Sequence, residues 1–525
     1  QMSQLSTLHL KDNSWKDSML QVSTFEIQPL LAFLKQLFDA RSSGLLDLSK
    51  QKLSEIPGMI LRIGNLEKCD LRHNHIPKVP AFICLLMDLT DLNLRDNKIK
   101  DLPGELGALR GLLLFDLGEN KLSFLPECIA SLESLTHMWL DQNGIKEIPD
   151  WIWKLEKLKY LNLDYNRLKV LPRDFASMQS LEILLMTSNR FISFPAMACE
   201  VLSLAELSIS DAENIVTMPS TLINLQRYLK KLVVNGCSLS RIHDSVGYCT
   251  RLEMLSFANN NVTVVPHTFY QLTRLKVLNL QGNRIVAFPQ IFNLTNMTHL
   301  NLSDNELTTV DLRIGDLNLM EELNLNNNKI TSLPLTIATM TSLTELDLQR
   351  NRLMSLPWAI GTLDSLTQLQ LHSNLLTSCP PTMSNLVNIR VLTLRDNQIS
   401  EVPAFCAHLT ELKRLTLKQR KLKGLPDVEV QRDGVTPPGT AVLKLSTAAV
   451  NYFLASIFSN QIVHLLHHKF SRELIGPCIV GDAIRKEHDP PTPPAWTPRE
   501  DDAGADRRRF FLVHINTLRE SPFCE

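Results

Sequence analysis

Apolar residues in this chain keep one long rhythm. Around Asn97, leucines stand at 89, 92 and 94 and an isoleucine at 99, while Asp91, Asn93 and Arg95 are polar. Alternation over 91–95 is the period of a strand with one face buried and one exposed. A strand this short cannot close a core alone. The phrase returns 23 residues later at Asn120, and again at Asn143 and Asn166. Each unit is therefore expected to be one short strand, a turn at the asparagine and a return segment. Stacked neighbours bury what one unit cannot.

Aligned on the asparagine, the phrase has eighteen copies. The anchors are Asn13, Gln51, Asn74, Asn97, Asn120, Asn143, Asn166, Asn189, Ala212, Cys237, Asn260, Asn283, Asn305, Asn328, Asn351, Asn374, Asn397 and Arg420. Most are 23 residues apart; the exceptions are 38 (13 to 51), 25 (212 to 237) and 22 (283 to 305). An amide that both donates and accepts suits the point where a strand turns away, because it can satisfy backbone groups otherwise buried unpaired. Beyond most anchors comes an aliphatic residue and then proline, as in Ile56-Pro57, Leu102-Pro103 and Leu333-Pro334.

These phrases resemble the leucine-rich-repeat signature over about residues 5–426. The added proline is similar to the intracellular subclass of Ras-pathway scaffolds, the scribble and erbin polarity proteins and the plant Ras-group-related repeat proteins. The resemblance implies an α/β leucine-rich-repeat solenoid: a right-handed horseshoe with a parallel sheet on the concave face and helices and turns on the convex face. Domain limits follow: the solenoid over 1–426, a C-terminal helical cap over 427–486, and a proline-rich linker and tail over 487–525.

Three stretches depart from the lattice. Residues 16–42 are longer than a standard connection, and the apolar pattern from Pro29 to Phe38 predicts a helix there. In 204–243 the ladder reads Ala212 then Cys237, and His243 stands where proline is expected; a bulge or a change of curvature is anticipated. At the end, Arg420 replaces asparagine, and residues 440–475 read as an amphipathic helix able to cover the last exposed core.

Composition narrows the function classes. The 54 basic and 55 acidic residues leave a net charge of −1, which gives no case for a nucleic-acid binder. The ten cysteines are scattered singly, the usage of a reducing, cytoplasmic compartment. Four Asn-x-Ser/Thr matches, at Asn261, Asn293, Asn296 and Asn301, are weighed as chance. No integral membrane segment is evident, and the start at Gln1 suggests a fragment or processed chain.

No catalytic, cofactor or metal motif has a supporting context. His464, His467 and His468 share a spacing of one helix face but lack partner ligands. Arg190–Phe194 resembles a short phosphatase-docking motif, yet Phe191 and Phe194 fall on core positions.

What remains is binding. Outward strand positions are two, four and six before each anchor. They place Asp116, His137, Trp139, Asp141, Tyr160, Asp164 and Leu185 on the concave face, with Tyr165 at its rim. A tryptophan on a polar strand face has no core to fill, and Trp and Tyr are enriched at binding hot spots. Trp151 and Trp153 fall on the convex side, where they are expected to pack locally. The chain thus reads as a scaffold or adaptor binding a protein partner on its concave face in intracellular signalling. The family resemblance implies a small GTPase or a phosphatase assembly as partner. Two alternatives stand beside it: the regulatory arm of a larger signalling enzyme (GTPase, kinase or cyclase), and a receptor ectodomain.

Overall fold

The computed structural model describes residues 27–400, 403–417, 429–430 and 443–444. The copy at Asn13, the anchor Arg420, the histidines at 464–468 and the tail from 487 lie outside the described residues. So does most of the expected cap.

The described residues fall into two compact units: residues up to 284 with 289–294, and 285–288 with 295 onwards. The first opens with helix α1 (Ile27–Ser43), where the sequence pattern placed one. Phe33 and Ala40 are buried, and the Gly44 N–H donates to the Ala40 carbonyl at 2.9 Å. Gly44, left-handed at φ 70°, turns the chain directly into the first strand.

Eleven strands follow in the first unit. They are β1 (Leu45–Asp47), β2 (Lys68–Asp70), β3 (Asp91–Asn93), β4 (Leu114–Asp116), β5 (His137–Trp139), β6 (Tyr160–Asn162), β7 (Ile183–Leu185), β8 (Glu206–Ser208), β9 (Lys231–Val233), β10 (Met254–Ser256) and β11 (Val277–Asn279). Each pairs in parallel with the next in sequence order, so the sheet is open. The middle residue of each strand is buried, as are the leucines that follow: Leu92 and Leu94, Leu161 and Leu163. Burying one such side chain stabilises by roughly 2 kcal/mol, and each repeat supplies several.

The second unit repeats the design in β12 (His299–Asn301), β13 (Glu322–Asn324), β14 (Glu345–Asp347), β15 (Gln368–Gln370), β16 (Val391–Thr393) and β17 (Arg414–Thr416). These too pair in parallel and in order. Then β18 (Glu429–Val430) and β19 (Leu443–Lys444) add antiparallel pairings. Within 427–486 the sequence suggested helix, but the residues described there are these two strands. Both begin with apolar and charged neighbours in alternation, a signal too short to compete with the longer amphipathic pattern around it.

The asparagine ladder performs the role its chemistry suggested. Asn97 donates to the carbonyls of Leu71 and Leu94, both at 3.0 Å, and its Oδ1 accepts from the Ile76 N–H at 3.0 Å. Each anchor thereby ties its own turn to the preceding repeat. Asn74, Asn120 and Asn351 make the same set. The residue before the anchor is left-handed in repeat after repeat: Asp96, Glu119, Gln142, Tyr165 and Ser188 have φ of 52–55°.

Most return segments are short 310 helices that open at the repeated proline, as at Pro57, Pro80 and Pro103. Its fixed φ matches the extended backbone needed there, and its carbonyl takes the first helical N–H, as Pro80 does from Ile83 at 3.1 Å. Two other residues fill the position with capping chemistry. His243 Nδ1 accepts from the Ser245 N–H at 3.1 Å, and Asp311 Oδ1 accepts from the Arg313 N–H at 2.8 Å. Thus His243 is a cap rather than a fault.

The bulge anticipated in 204–243 does not occur in the strands. β8 pairs residue for residue with β7 and β9, with Glu206 opposite Ile183 and Lys231. The extra length is carried by an eight-residue 310 helix, Ser220–Arg227, against five elsewhere. A longer return segment costs only loop entropy, whereas a slip in register would turn the core leucines outward. Ala212 and Cys237 are buried in the anchor places, and Cys237 Sγ faces the Asn235 carbonyl at 3.4 Å and the Ile209 carbonyl at 3.9 Å.

Candidate protein-binding surface

The parallel register sets the outward side chains in rungs. Leu114, His137, Tyr160 and Ile183 stand opposite one another on β4–β7, and Asp116, Trp139, Asn162 and Leu185 form the next rung. Strands lie ~4.8 Å apart, so rings on adjacent strands touch. His137 stacks on Trp139 (centroids 5.7 Å apart, planes at 19°) and on Tyr160 (5.8 Å, 23°). Trp139 and Tyr160 tilt against each other at 5.2 Å and 41°. All three are half-buried. Burial raises the Tyr160 hydroxyl above its ordinary value.

A row of carboxylates borders the rings. Here the structure adds a residue that the sequence reading left out of the patch. Arg95 reaches Asp141 through Nη1 at 3.1 Å and Nη2 at 2.7 Å, and Glu119 through Nη2 at 2.8 Å. Asp116 lies 3.7 Å from Nη1. The bonds to Asp141 lead in raising the Arg95 guanidinium above its ordinary value. Desolvation raises the Asp116 carboxyl. Asp141 is therefore not a free surface charge: its side chain is 7% exposed and clamped. The clamp has room because position 118 is glycine. A Cβ there would stand 2.4 Å from Arg95 Nη1 and 2.8 Å from Asp141 Oδ1.

Asp164 is in a different situation. Most residues four before the anchor are Asp or Asn, and they accept from the N–H two residues on. Asn93 serves Arg95 at 3.0 Å, Asp116 serves Gly118 at 2.9 Å and Asn162 serves Asp164 at 2.9 Å. Leu185 cannot do this, and the Thr187 N–H turns to Asp164 Oδ1 of the preceding repeat at 2.5 Å. Burial, with the Asp141 and Asp211 charges adding to it against the Thr187 bond, pushes the Asp164 carboxyl up to about 6. Among the described residues no lysine or arginine pairs with it.

Trp139 likewise occupies a place that its neighbours give to a local acceptor. Two apolar residues at such places, two strands apart on one rung, are departures from local consistency of the kind expected at functional sites. Tyr165 lies apart from the three rings, exposed on the rim in its left-handed turn. On the return side Ile152 is buried, but Trp153 is 40% exposed rather than packed away. Phe191 and Phe194 are buried, which hides the phosphatase-docking resemblance.

Among the described residues no group of His, Cys, Asp or Glu is placed to hold a metal. No helix among them is long and apolar enough to cross a membrane. The eight described cysteines are free thiols, with Cys69, Cys199, Cys237 and Cys249 buried.

An open parallel sheet of units mostly 23 residues long, most of them locked by an asparagine, defines a repeat protein built to present a surface. The leucine rich repeat family model matches residues 88–145, 140–191, 227–285 and 295–353. A leucine-rich-repeat protein of Leptospira interrogans is similar at 33% identity, with a TM-score of 0.67 over 70% of this chain and 94% of that one. The chain belongs to the leucine-rich-repeat family. The plant peptide hormone receptor RGFR1 in complex with RGF2 is similar at 28% identity and TM-score 0.59, over 72% of this chain and 63% of that one. A TDR receptor matches at 25% and 0.61, over 70% and 67%. A comparison with curated proteins returns no match.

Proposed function

We propose that this chain is a scaffold or adaptor that holds a protein partner on the β4–β8 sheet face, acting in intracellular signalling. The observation that carries the reading is the ring group of His137, Trp139 and Tyr160 on a strand face with no core to cover. With Leu185 and Ile183 it makes an apolar centre beside the acidic row of Asp116, Asp141 and Asp164. An apolar, aromatic centre within a polar rim is the composition of a protein interface. The fold itself is generally one of protein–protein interaction. RGFR1, similar in fold, is a receptor in complex with RGF2. The small GTPase or phosphatase assembly implied by the proline subclass is the partner class proposed, on analogy alone.

Free thiols and no disulfide among the described residues favour a reducing compartment over the receptor-ectodomain reading. The test is affinity capture with wild type and with Trp139→Ala/Tyr160→Ala. Partners are expected to be lost from the double variant while its unfolding transition is unchanged. Recovery of the same partners by both proteins rejects the surface.

A further inference from the structure

The charge on this face goes further than the rings alone. Around them stand Asp116, Glu119, Asp141, Asp164 and Asp211, and among the described residues the cation paired with this row is Arg95. Lys231 is spent on Glu206 at 2.6 Å. A partner that covered these carboxylates with apolar or acidic groups would desolvate them without compensation. A complementary partner must bring positive charge to this side of the sheet.

The chain itself shows how the row receives a guanidinium. Arg95 lies along it and meets Asp141 with two parallel bonds. One repeat on, Asp164 has Asp141 on the β5 side and Asp211 on the β8 side, both anionic, and its own Oδ1 is taken by the Thr187 N–H. Ser188 Oγ bonds Asp211 at 2.9 Å and brings no charge. Tyr160, in the same repeat as Asp164, joins the ring platform.

Resting on the docking reading above, we propose that the ring platform and Asp164 receive an arginine from an extended basic segment of the partner. The guanidinium would lie on Trp139 and Tyr160 with an edge toward the Asp164 carboxylate, whose neutral partners, the Thr187 N–H and hydroxyl, bring no charge. Arginine fits better than lysine because it is planar, stacks on aromatic faces and presents paired donors to a carboxylate. Because protonation of Asp164 removes the acceptor charge, binding should weaken as pH falls through about 6. The groups facing it are Asp141, Asp211 and Tyr160, with Arg95 on the far side of Asp141.

The experiment is selection of a random twelve-residue peptide library on the whole chain, with counter-selection on Trp139→Ala/Tyr160→Ala. The peptides obtained are then measured against wild type, Asp164→Asn and Trp139→Phe. The expected result is enrichment of arginine, with affinity at least ~10-fold lower on Asp164→Asn, weaker at pH 5 than at 7.5, and largely kept on Trp139→Phe. Peptides that need the rings but lack arginine and ignore Asp164→Asn overturn this inference and leave the docking face standing. If no peptide depends on the rings, both fail. Unfolding transitions of each variant verify that it is folded.

Discussion

Arg95 and Asp141 lie 46 residues apart and are joined by two hydrogen bonds, of 3.1 and 2.7 Å, across the bare backbone of Gly118. Three repeats contribute to this clamp: a cation, a gap and an anion, one from each of three successive repeats. The gap is as necessary as the charges.

Gly118→Ala should therefore break the clamp. The added methyl would meet Arg95 Nη1 at 2.4 Å and Asp141 Oδ1 at 2.8 Å, so the guanidinium must leave a carboxylate that is nearly buried. The expected loss is on the order of 2 kcal/mol, read from urea unfolding. Gly104→Ala, where a Cβ meets nothing within 4 Å, is the comparison and should cost far less. Equal effects would mean that backbone freedom, not the clamp, explains Gly118.

Asp164→Asn should stabilise the protein at neutral pH. The folded carboxyl titrates near 6, above the unfolded value of ~3.9, so the folded state holds more protons between those values. Stability contributed by this group is thus present below ~4 and lost as pH rises through about 6. The amide keeps an acceptor for the Thr187 N–H and removes the charge. After discounting for solvent screening, a gain of about 1 kcal/mol is expected at pH 7.5 and almost none at pH 4. A gain independent of pH would point to another cause.

Anchor positions offer a paired test. Asn120→Ala removes three donor contacts and one acceptor contact at a buried site and should cost about 3 kcal/mol. Cys237→Asn moves the other way. The thiol already faces the Ile209 and Asn235 carbonyls, at sulfur distances of 3.9 and 3.4 Å, and an amide would make stronger bonds there. A gain of about 0.5–1 kcal/mol is expected, measured by thermal or denaturant unfolding.

Thiol chemistry should follow burial. Burial pushes Cys69, Cys199, Cys249, Cys379 and Cys406 up to about 12, and Cys237 to about 11. In a Cys478→Ser/Cys524→Ser background, the buried Cys69, Cys199, Cys237 and Cys249 should resist a thiol-exchange reagent at pH 8 until guanidinium is added, whereas half-buried Cys84 reacts first. A count below eight free thiols in the denatured protein would indicate disulfides and favour the ectodomain reading.

The repeat, its strands and the outward positions were legible because they rest on local periods of two and twenty-three residues. The proline position was legible, but its substitutes were not: His243 looked like a fault, and only the hydrogen bond to Ser245 shows a cap. The bulge expected near Ala212 came from counting residues. Counting cannot tell whether extra length enters a strand or a return segment. Trp139 could be found because it violates a mostly polar column, and Tyr160 because it stands on the neighbouring strand of the same face. The Arg95 clamp is not legible from periodicity, because it depends on how far a guanidinium reaches across two strands. Read down the column two before the anchor, Arg95, Gly118 and Asp141 spell the clamp.

The left-handed residue before each anchor has a consequence for how this surface changes over time. Its φ is set by the turn, so side chains unbranched at Cβ carry a similar strain, roughly 1 kcal/mol, with asparagine and aspartate below it and β-branched residues above it. Exchanging tyrosine at 165 for serine or arginine, both of which occupy the equivalent place at Ser188 and Arg350, leaves that strain unaltered. The rim is thus a column where chemistry can drift among residues unbranched at Cβ at little thermodynamic penalty. Affinity for a partner can be retuned there one repeat at a time, with the leucine core left as it is.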